Sequence, residues 1–333
     1  MDIKASIKKI LLGQTIPQEY ICFPYEDFTD QFRIFLTLRI SNTVYDVTRQ
    51  HLFLGYRPLI IGISTAVDHE LFQNLSSGQE ICLFLDWQDC ISNQNWRGFA
   101  IPNSAPAKVI LEFNHLQKSD HEVTFIYTGK LGYHNFRSAF HKYTNGLYYR
   151  FRRKKPGNID LPGNLYDQVR IAYAYPRNIS LITVGYGNTI NMFPTDLHGP
   201  IGEKVYAGSL RNNGLACKQV DYFKKIVISQ IKVEMFKRVY AMGKNHMKEI
   251  RDSDDFELDS ETSEILKLPL PSGVLRYREL EQVCSYDINI HRLHFYKVMN
   301  QVDCSEGKTL CHVHNYYVEW RKQKGLDFKY LLR

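Results

Sequence analysis

Residues 178–231 alternate short runs of β-branched and other apolar residues with turns rich in glycine and proline. The pattern predicts a strand over 179–184, a turn at 185–188, a second strand, a connection at 194–202 and a third strand over 204–210. A polar turn with a short helix is predicted over 211–218, and a fourth strand over 225–231. Strands of this length and spacing are typical of an antiparallel β-barrel.

A similar order of strands and turns is predicted earlier in the chain. A Thr-x-x-His segment precedes a strand at Thr48 and again at Thr195, 147 positions later. Gly62 and Gly208 lie 146 positions apart in the strands that follow. Two copies of one β-unit indicate an internal duplication. Coincidental alternation among unrelated strands is the alternative explanation.

The later parts of the two copies also correspond. Strands predicted over 107–113 and 120–126 match strands predicted over 273–280 and 290–295, with His121 at the place of His291. These two histidines are 170 positions apart, so the second copy carries about 24 more residues. The polar and acidic stretch 244–264 accounts for them, and we expect a solvated insertion or a short helix there.

A cluster of cations separates the two copies. Arg150, Arg152, Arg153, Lys154 and Lys155 precede Pro-Gly, which predicts a surface turn and a boundary between domains 1–150 and 151–333. Arginine and lysine beside tyrosine and phenylalanine also suit nucleic acid, because cations neutralise phosphates and rings stack on bases. A solvated linker is the favoured interpretation, because the cluster is single.

Composition places the chain among ordinary globular proteins. It has 333 residues, a formal net charge of +7 and no apolar run long enough for a membrane span. Its seven cysteines form no Cys-x-x-Cys pair, which fits a reducing compartment. We therefore expect a cytoplasmic protein that does not enter membranes.

The polar loop around 194–218 carries most of the chemistry. Together with Gly187-Asn188-Thr189 before it and 273–280 and 290–298 after it, this region resembles the flavin reductase-like family of FMN-binding split barrels. The resemblance covers roughly residues 165–315. It implies a mainly β fold of two tandem split barrels that form a pseudo-dimer, with the flavin site in the second domain. FMN, or FAD as an alternative, would be the cofactor, and NAD(P)H the electron donor. The protein is then expected to be a monomeric pseudo-dimer or a homodimer.

The resemblance also implies a set of flavin-binding residues. Arg211 would hold the phosphate, because a guanidinium pairs with phosphate through two parallel hydrogen bonds. Amides at a helix start near Asn212 would add donors. The whole predicted set is Asn191, Thr195, Asp196, His198, Ser209, Arg211, Asn212, Lys218 and His291. No general acid or base is predicted.

Three alternatives remain open. Met192-Phe193 stands where the family usually has small residues, and the family features are divided between the two copies, so a ligand-binding or structural module without flavin is the second hypothesis. Residues 209–214 are also compatible with an ordinary capped turn before a helix. Cys304, Cys311, His312 and His314 resemble metal ligands in type, but no second Cys/His pair with ligand spacing accompanies them, and we predict no metal site.

Overall fold

The computed structural model describes residues 10–16, 18–28, 31–38, 43–76, 78–86, 105–118, 122–152, 159–201, 204–326 and 329–331. Within these residues, no helix has the length and apolar character that a membrane crossing requires. The elements up to residue 152 are β1 (Tyr20–Pro24), β2 (Arg33–Leu38), β3 (Val44–Asp46), β4 (His51–Tyr56), β5 (Leu59–Ala66), α1 (Glu70–Leu75), β6 (Ile81–Asp86), β7 (Ala107–Lys118), β8 (Glu122–His134) and α2 (Ala139–Arg152).

The elements after residue 159 are more numerous. They are α3 (Leu165–Ala172), β9 (Arg177–Asn178), β10 (Ser180–Tyr186), β11 (Thr189–Thr195), β12 (His198–Pro200), β13 (Val205–Arg211), α4 (Leu215–Phe223), β14 (Lys225–Ile231), α5 (Phe236–Ala241), β15 (Arg251–Asp252), β16 (Leu258–Thr262), β17 (Pro269–Pro271), β18 (Val274–Ile288), β19 (His291–Asp303), β20 (Leu310–His314) and α6 (Asn315–Gln323). The mainly β fold class predicted from the sequence is confirmed.

Two large antiparallel sheets have the same strand order. The first runs β4-β5-β8-β7-β6-β2-β3, and the second runs β12-β13-β19-β18-β14-β10-β11 with β15 added at its edge. Each strand of the first sheet has a counterpart at the same place in the second, and in the same order along the chain. Helices α1 and α4 also correspond, since each connects the second strand of its sheet to the fifth.

The two halves meet through an apolar core. Leu54, Ile60 and Ile126 of the first sheet pack with Leu293 and Phe295 of the second, and all five are at most 1% exposed. Burial of such side chains contributes about 1.5–3 kcal/mol each relative to exposure. The halves are therefore packed as one unit, and pockets at their interface have fixed walls.

Chain segments also cross between the halves. Strand β20 lies between β1 and β9 in a three-stranded sheet. Ala172 of α3, together with Tyr317 and Trp320 of α6, is buried in the large core of the first sheet. The cationic segment around residue 150 differs from the expected turn, because α2 continues to Arg152; residues 153–158 lie outside the described residues.

The stretch expected as a solvated insertion is partly buried. It contains the 3₁₀ helix Met242–Met247 and the short strands β15 and β16. Asn245 is 1% exposed and donates from Nδ2 to the carbonyl oxygen of Met192 at 2.8 Å. The segment therefore packs against β11 through Asn245, whereas more than half of its residues are exposed, as its polar composition indicates.

Candidate functional site

A cavity of about 520 Å³ lies at the interface of the two halves, close to the end of β13. Its walls are residues 194–197, residues 209–211, the start of α4, the 3₁₀ helix Met242–Met247, His291 of β19 and Tyr56 of β4. The volume falls within the range of about 300–1,000 Å³ that is usual for small-molecule sites. The pocket is built mainly by the second half, and the first half closes one side.

Ser209, His291 and Tyr56 form a fixed polar group in this pocket. The backbone N–H of Tyr56 donates to Nε2 of His291 at 3.2 Å, and Nδ1 of His291 lies 3.3 Å from Oγ of Ser209. Since Nε2 accepts a hydrogen bond, the neutral ring carries its proton on Nδ1 and donates it to Ser209. Burial, and secondarily the nearby Arg211, lower the pKa of His291 to about 4. The imidazole is therefore neutral at pH 7 and positions the hydroxyl.

Arg211 brings an uncompensated cation to the pocket. Its Nε donates to the phenol oxygen of Tyr56 at 2.5 Å, and its guanidinium carbon lies 5.6 Å from the centre of that ring. Within the described residues, no carboxylate oxygen lies within 4.0 Å of its nitrogens. The Tyr56 contact fixes one edge of the guanidinium, and the two Nη groups remain available to an anion.

The start of helix α4 adds backbone donors beside Arg211. Gly214 precedes the helix with φ −80° and ψ 147°, and no side chain caps the first turn. Gly214, Ala216 and Cys217 all line the pocket. The first turn also lacks an acidic residue, so its amides and the helix dipole favour a bound anion.

Asp196 places a negative charge on the opposite wall. Its carboxylate lies 2.9 Å from Nη1 of Arg177 and 2.9 Å from Nε2 of His312. Burial alone raises the pKa of this carboxyl, but Arg177 and His312 outweigh burial and hold the pKa below its ordinary value. The group is therefore ionised at pH 7, and its charge is largely balanced from behind the pocket.

The structure gathers five of the nine predicted residues around one cavity. These are Thr195, Asp196, Ser209, Arg211 and His291. Thr195 is 7% exposed and accepts a weak hydrogen bond from the backbone N–H of Leu197 at 3.4 Å.

The other four predicted residues point elsewhere. Asn191 is fully buried and donates to Gln219 at 2.8 Å, which joins β11 to α4. His198 accepts from or donates to the hydroxyl of Tyr206 at 2.6 Å and lines a different cleft. The amide of Asn212 donates to the carbonyl oxygen of Asn289 at 2.8 Å. Lys218 is exposed on α4 and does not line the cavity.

Tyr56 and His246 line the pocket but were not among the residues predicted from the sequence. Nε2 of His246 donates to the carbonyl oxygen of Pro194 at 2.8 Å, and burial lowers the pKa of His246. Tyr56 comes from the first half, more than 150 positions from Arg211. Neither residue lies in a recognisable motif, because one belongs to the polar insertion and the other reaches the site only through packing of the halves.

Met192 and Phe193 do not narrow the pocket. Both are fully buried, and they belong to separate cores on the two faces of the second sheet. Only Pro194 of this segment lines the cavity. The size of these two side chains therefore does not reduce the described pocket, because they point to opposite faces of the sheet and into its cores.

The equivalent place in the first half has the opposite charge. Ala66 ends β5 four residues before α1, as Arg211 ends β13 four residues before α4. Ala66 pairs with Glu122 in the sheet, whereas Arg211 pairs with His291. An alanine and a carboxylate thus stand where the second half has the cation and the neutral imidazole, so the described residues at this place in the first half lack those anion-binding groups. His121 lies outside the described residues.

The histidines of β20 have separate partners. His312 lies 2.7 Å from the hydroxyl of Tyr240 as well as 2.9 Å from Asp196, and Nε2 of His314 contacts Nη1 of Arg170. Cys311 is buried on the other side of the strand. Across the described part of the chain, no group of three or more His, Cys, Asp or Glu side chains is arranged to hold a metal ion.

No protein-family model and no curated protein matches the sequence. Among solved structures, the chain is similar to an NADH:FAD oxidoreductase of Streptomyces globisporus, with 13% identity and a TM-score of 0.40, over 49% of this chain and 96% of that one. It is also similar to an FMN-binding protein of Thermus thermophilus, with 14% identity and a TM-score of 0.36, over 49% of this chain and 95% of that one. A homologue of nitrilotriacetate monooxygenase component B from Mycobacterium thermoresistibile shows 16% identity and a TM-score of 0.39, over 46% and 86%. Each similarity spans about half of this chain.

Proposed function

We propose that the protein binds a flavin, FMN in the first place and FAD as the alternative, in the cavity between Tyr56 and the start of α4. The proposal rests on the position of Arg211. Its exposed guanidinium lies beside the uncapped start of α4, and no carboxylate within the described residues neutralises it. A phosphate group would satisfy both the two free Nη groups and the first amides of the helix.

The other residues of the pocket have complementary tasks in this proposal. Ser209 offers a hydroxyl that His291 keeps in place, and residues 194–197 offer a wall of backbone groups and the Thr195 side chain. Tyr56 holds Arg211 and closes the pocket toward the first half. The bound flavin would supply the hydride-accepting chemistry, and the protein would supply binding, orientation and exclusion of water. NAD(P)H would be the electron donor, which makes the protein a flavin reductase-like oxidoreductase.

The shared strand order supports an internal duplication in which each half is a split-barrel-like domain, with domains 1–150 and 151–333. The chain would then form its own pseudo-dimer, since the pocket already receives Tyr56 from the other half. Divergence of the first half, where Ala66 and Glu122 stand in place of the anion-binding residues, leaves one flavin site for each chain.

We expect the purified protein to bind FMN and Arg211→Ala to weaken that binding about 10- to 100-fold, because hydrogen bonds to charged groups contribute about 1.5–3 kcal/mol. Quenching of flavin fluorescence on titration with protein measures the affinity. Lys218→Ala is the matched control, since it removes an exposed cation of α4 that lies outside the cavity, and its affinity for FMN should equal that of the wild type. Equal affinities for wild type and Arg211→Ala would refute the phosphate assignment.

A module that binds a ligand without flavin is the second candidate. The ionised carboxylate of Asp196 favours it, because a negative charge in the pocket opposes an electron-accepting ring that gains negative charge. This candidate predicts a folded protein that neither binds FMN nor oxidises NADH or NADPH. A binding measurement with both FMN and FAD, followed by an NAD(P)H oxidation assay, separates the two candidates.

A further inference from the structure

A second cavity, of about 820 Å³, lies between the halves on the far side of Asp196. The loop before β4, strand β12, and residues 176–178 form most of its wall, and Arg278 of β18 completes it. Asp196 lines both this cleft and the candidate flavin pocket, and it separates the two cavities. The proposed flavin site uses none of the arginines in this cleft.

The cleft has an excess of positive charge. Four arginines line it, at 33, 49, 177 and 278, against the two aspartates Asp46 and Asp196. Its histidines do not add to the charge at pH 7, because burial lowers the pKa of both His51 and His198 to about 4. The remaining excess of two positive charges matches a phosphate monoester, which carries about −1.5 to −2 at pH 7.

Arg177 is the deepest of these cations and lacks hydrogen-bond partners. Its residue is 6% exposed, with the guanidinium stacked 4.1 Å from the ring centre of Tyr173 and 5.1 Å from that of Phe53. It forms an ion pair with Asp196, but the geometry is not that of a hydrogen bond, and none of its three nitrogens has a hydrogen-bond partner within the described residues. Buried donors without partners are rare in folded proteins, so this group needs an acceptor in the cleft.

Arg278 and Arg49 complete the cationic surface. Arg278 is half-buried over the ring of Tyr206, at 5.4 Å from its centre, and Arg49 is exposed at the mouth. Neither has a carboxylate oxygen within 4.0 Å among the residues that the structure describes. The side-chain oxygen of Asn178 also lacks a donor, which provides an acceptor for a hydroxyl group next to the anion.

We infer that this cleft is a second ligand site, separate from the flavin pocket, that takes a small phosphorylated molecule with its phosphate on Arg177, Arg49 and Arg278. Arginine suits this task because its fork of donors pairs with two phosphate oxygens at once. The hydroxyl-bearing part of the ligand would contact Asn178. The inference does not depend on flavin binding, since the two sites share only the Asp196 partition.

The test is calorimetric titration with inorganic phosphate. Arg211→Ala is the starting protein, because it removes the cation of the flavin pocket and leaves the cleft intact. We expect saturable phosphate binding to this protein, with affinity reduced at least tenfold by the further change Arg278→Gln and several-fold by Arg49→Gln. Arg150→Gln, which removes an exposed arginine from α2 outside the cleft, is the matched control and should change nothing.

Two results would overturn the inference. One is the absence of phosphate binding to both wild type and Arg211→Ala; the other is binding that Arg211→Ala abolishes and that Arg49→Gln leaves intact. Arg49 is exposed and has no ion-pair partner among the described residues, so we expect its variant to fold even if Arg278→Gln does not, and it decides the question alone. Flavin titration of the same proteins keeps the two sites apart: a wild type that binds phosphate but no FMN would refute the flavin proposal and leave the cleft assignment standing.

Discussion

We expect the protein to lose most of its stability as the pH falls from about 6.5 to 4. His291, His294 and His314 are at most 2% exposed, and burial lowers their pKa to about 4, about 4 and about 3. In the unfolded chain the same groups have a pKa of about 6.5. Between these values the unfolded state binds more protons than the folded state, so acidification favours unfolding.

The direction and the size of this loss of stability follow from proton linkage. The contribution of neutral, buried histidine is fully present above pH 6.5 and disappears as the pH falls toward the folded pKa. A shift of about 2.5 units corresponds to about 3 kcal/mol for each histidine. Since a domain of ordinary stability has only about 5–15 kcal/mol in total, two or three such groups are sufficient to unfold it.

Urea unfolding at pH 7.0, 6.0, 5.0 and 4.5 measures this effect. The free energy of unfolding should fall with a slope of about 1.4 kcal/mol per pH unit for each proton taken up. His314→Gln should remove one proton from the slope, whatever its effect on stability at pH 7, because burial and the guanidinium of Arg170 outweigh the nearby Glu19 carboxylate and lower the pKa of His314 to about 3. The exposed His115 provides the control variant His115→Gln. A wild-type midpoint that stays constant down to pH 4.5 would contradict the expectation.

The strands could be predicted from the sequence, because the alternation of apolar and polar residues that indicates a strand is a local pattern. The predicted strand over 225–231 coincides with β14 residue for residue, and the predicted strand over 204–210 differs from β13 by one residue at each end. Predictions of individual strands depend only on neighbouring residues. The internal duplication is still a prediction, and the shared strand order of the two sheets is compatible with it.

The residues of the pocket were harder to predict from the sequence, because packing between distant segments of the chain determines which side chains line it. Arg211 was predicted from the family resemblance, but its partner Tyr56 and the wall residue His246 belong to segments whose roles depend on how the two halves pack together. Asn191 and His198 are polar, as expected of residues in a binding site, yet their side chains form hydrogen bonds to other side chains within the fold. Sequence cannot distinguish a polar side chain that faces a ligand from one that satisfies a buried neighbour.

The second large effect concerns the buried ion pair between Arg137 and Glu319. Both side chains are 3% exposed, and Nη2 of Arg137 contacts Oε2 of Glu319. Arg137 also donates to the carbonyl oxygen of Leu12, and Glu319 accepts from the backbone N–H of Ile16 at 2.9 Å. The pair therefore joins the N-terminal segment and α6 to the chain just before α2.

Glu319→Gln should lower the free energy of unfolding by about 3–5 kcal/mol, because it keeps the side-chain shape but leaves the Arg137 cation buried without its anion. Urea denaturation at pH 7 provides the measurement. Arg238→Ala is the control: its pair with Glu257 is more than half exposed on both sides, and its loss should cost at most about 1 kcal/mol.

The double change Arg137→Met with Glu319→Leu tests the cause. If the cost of Glu319→Gln comes from an uncompensated charge, removing both charges restores much of the stability, since apolar residues of similar volume often replace a buried pair without loss. If instead the hydrogen bonds to the N-terminal segment are decisive, the double variant is at least as unstable as Glu319→Gln, because the backbone N–H of Ile16 loses its acceptor in it and the carbonyl oxygen of Leu12 keeps only Asn145 as a donor. The sign of this difference decides whether charge balance or backbone anchoring holds the N-terminal segment against α6.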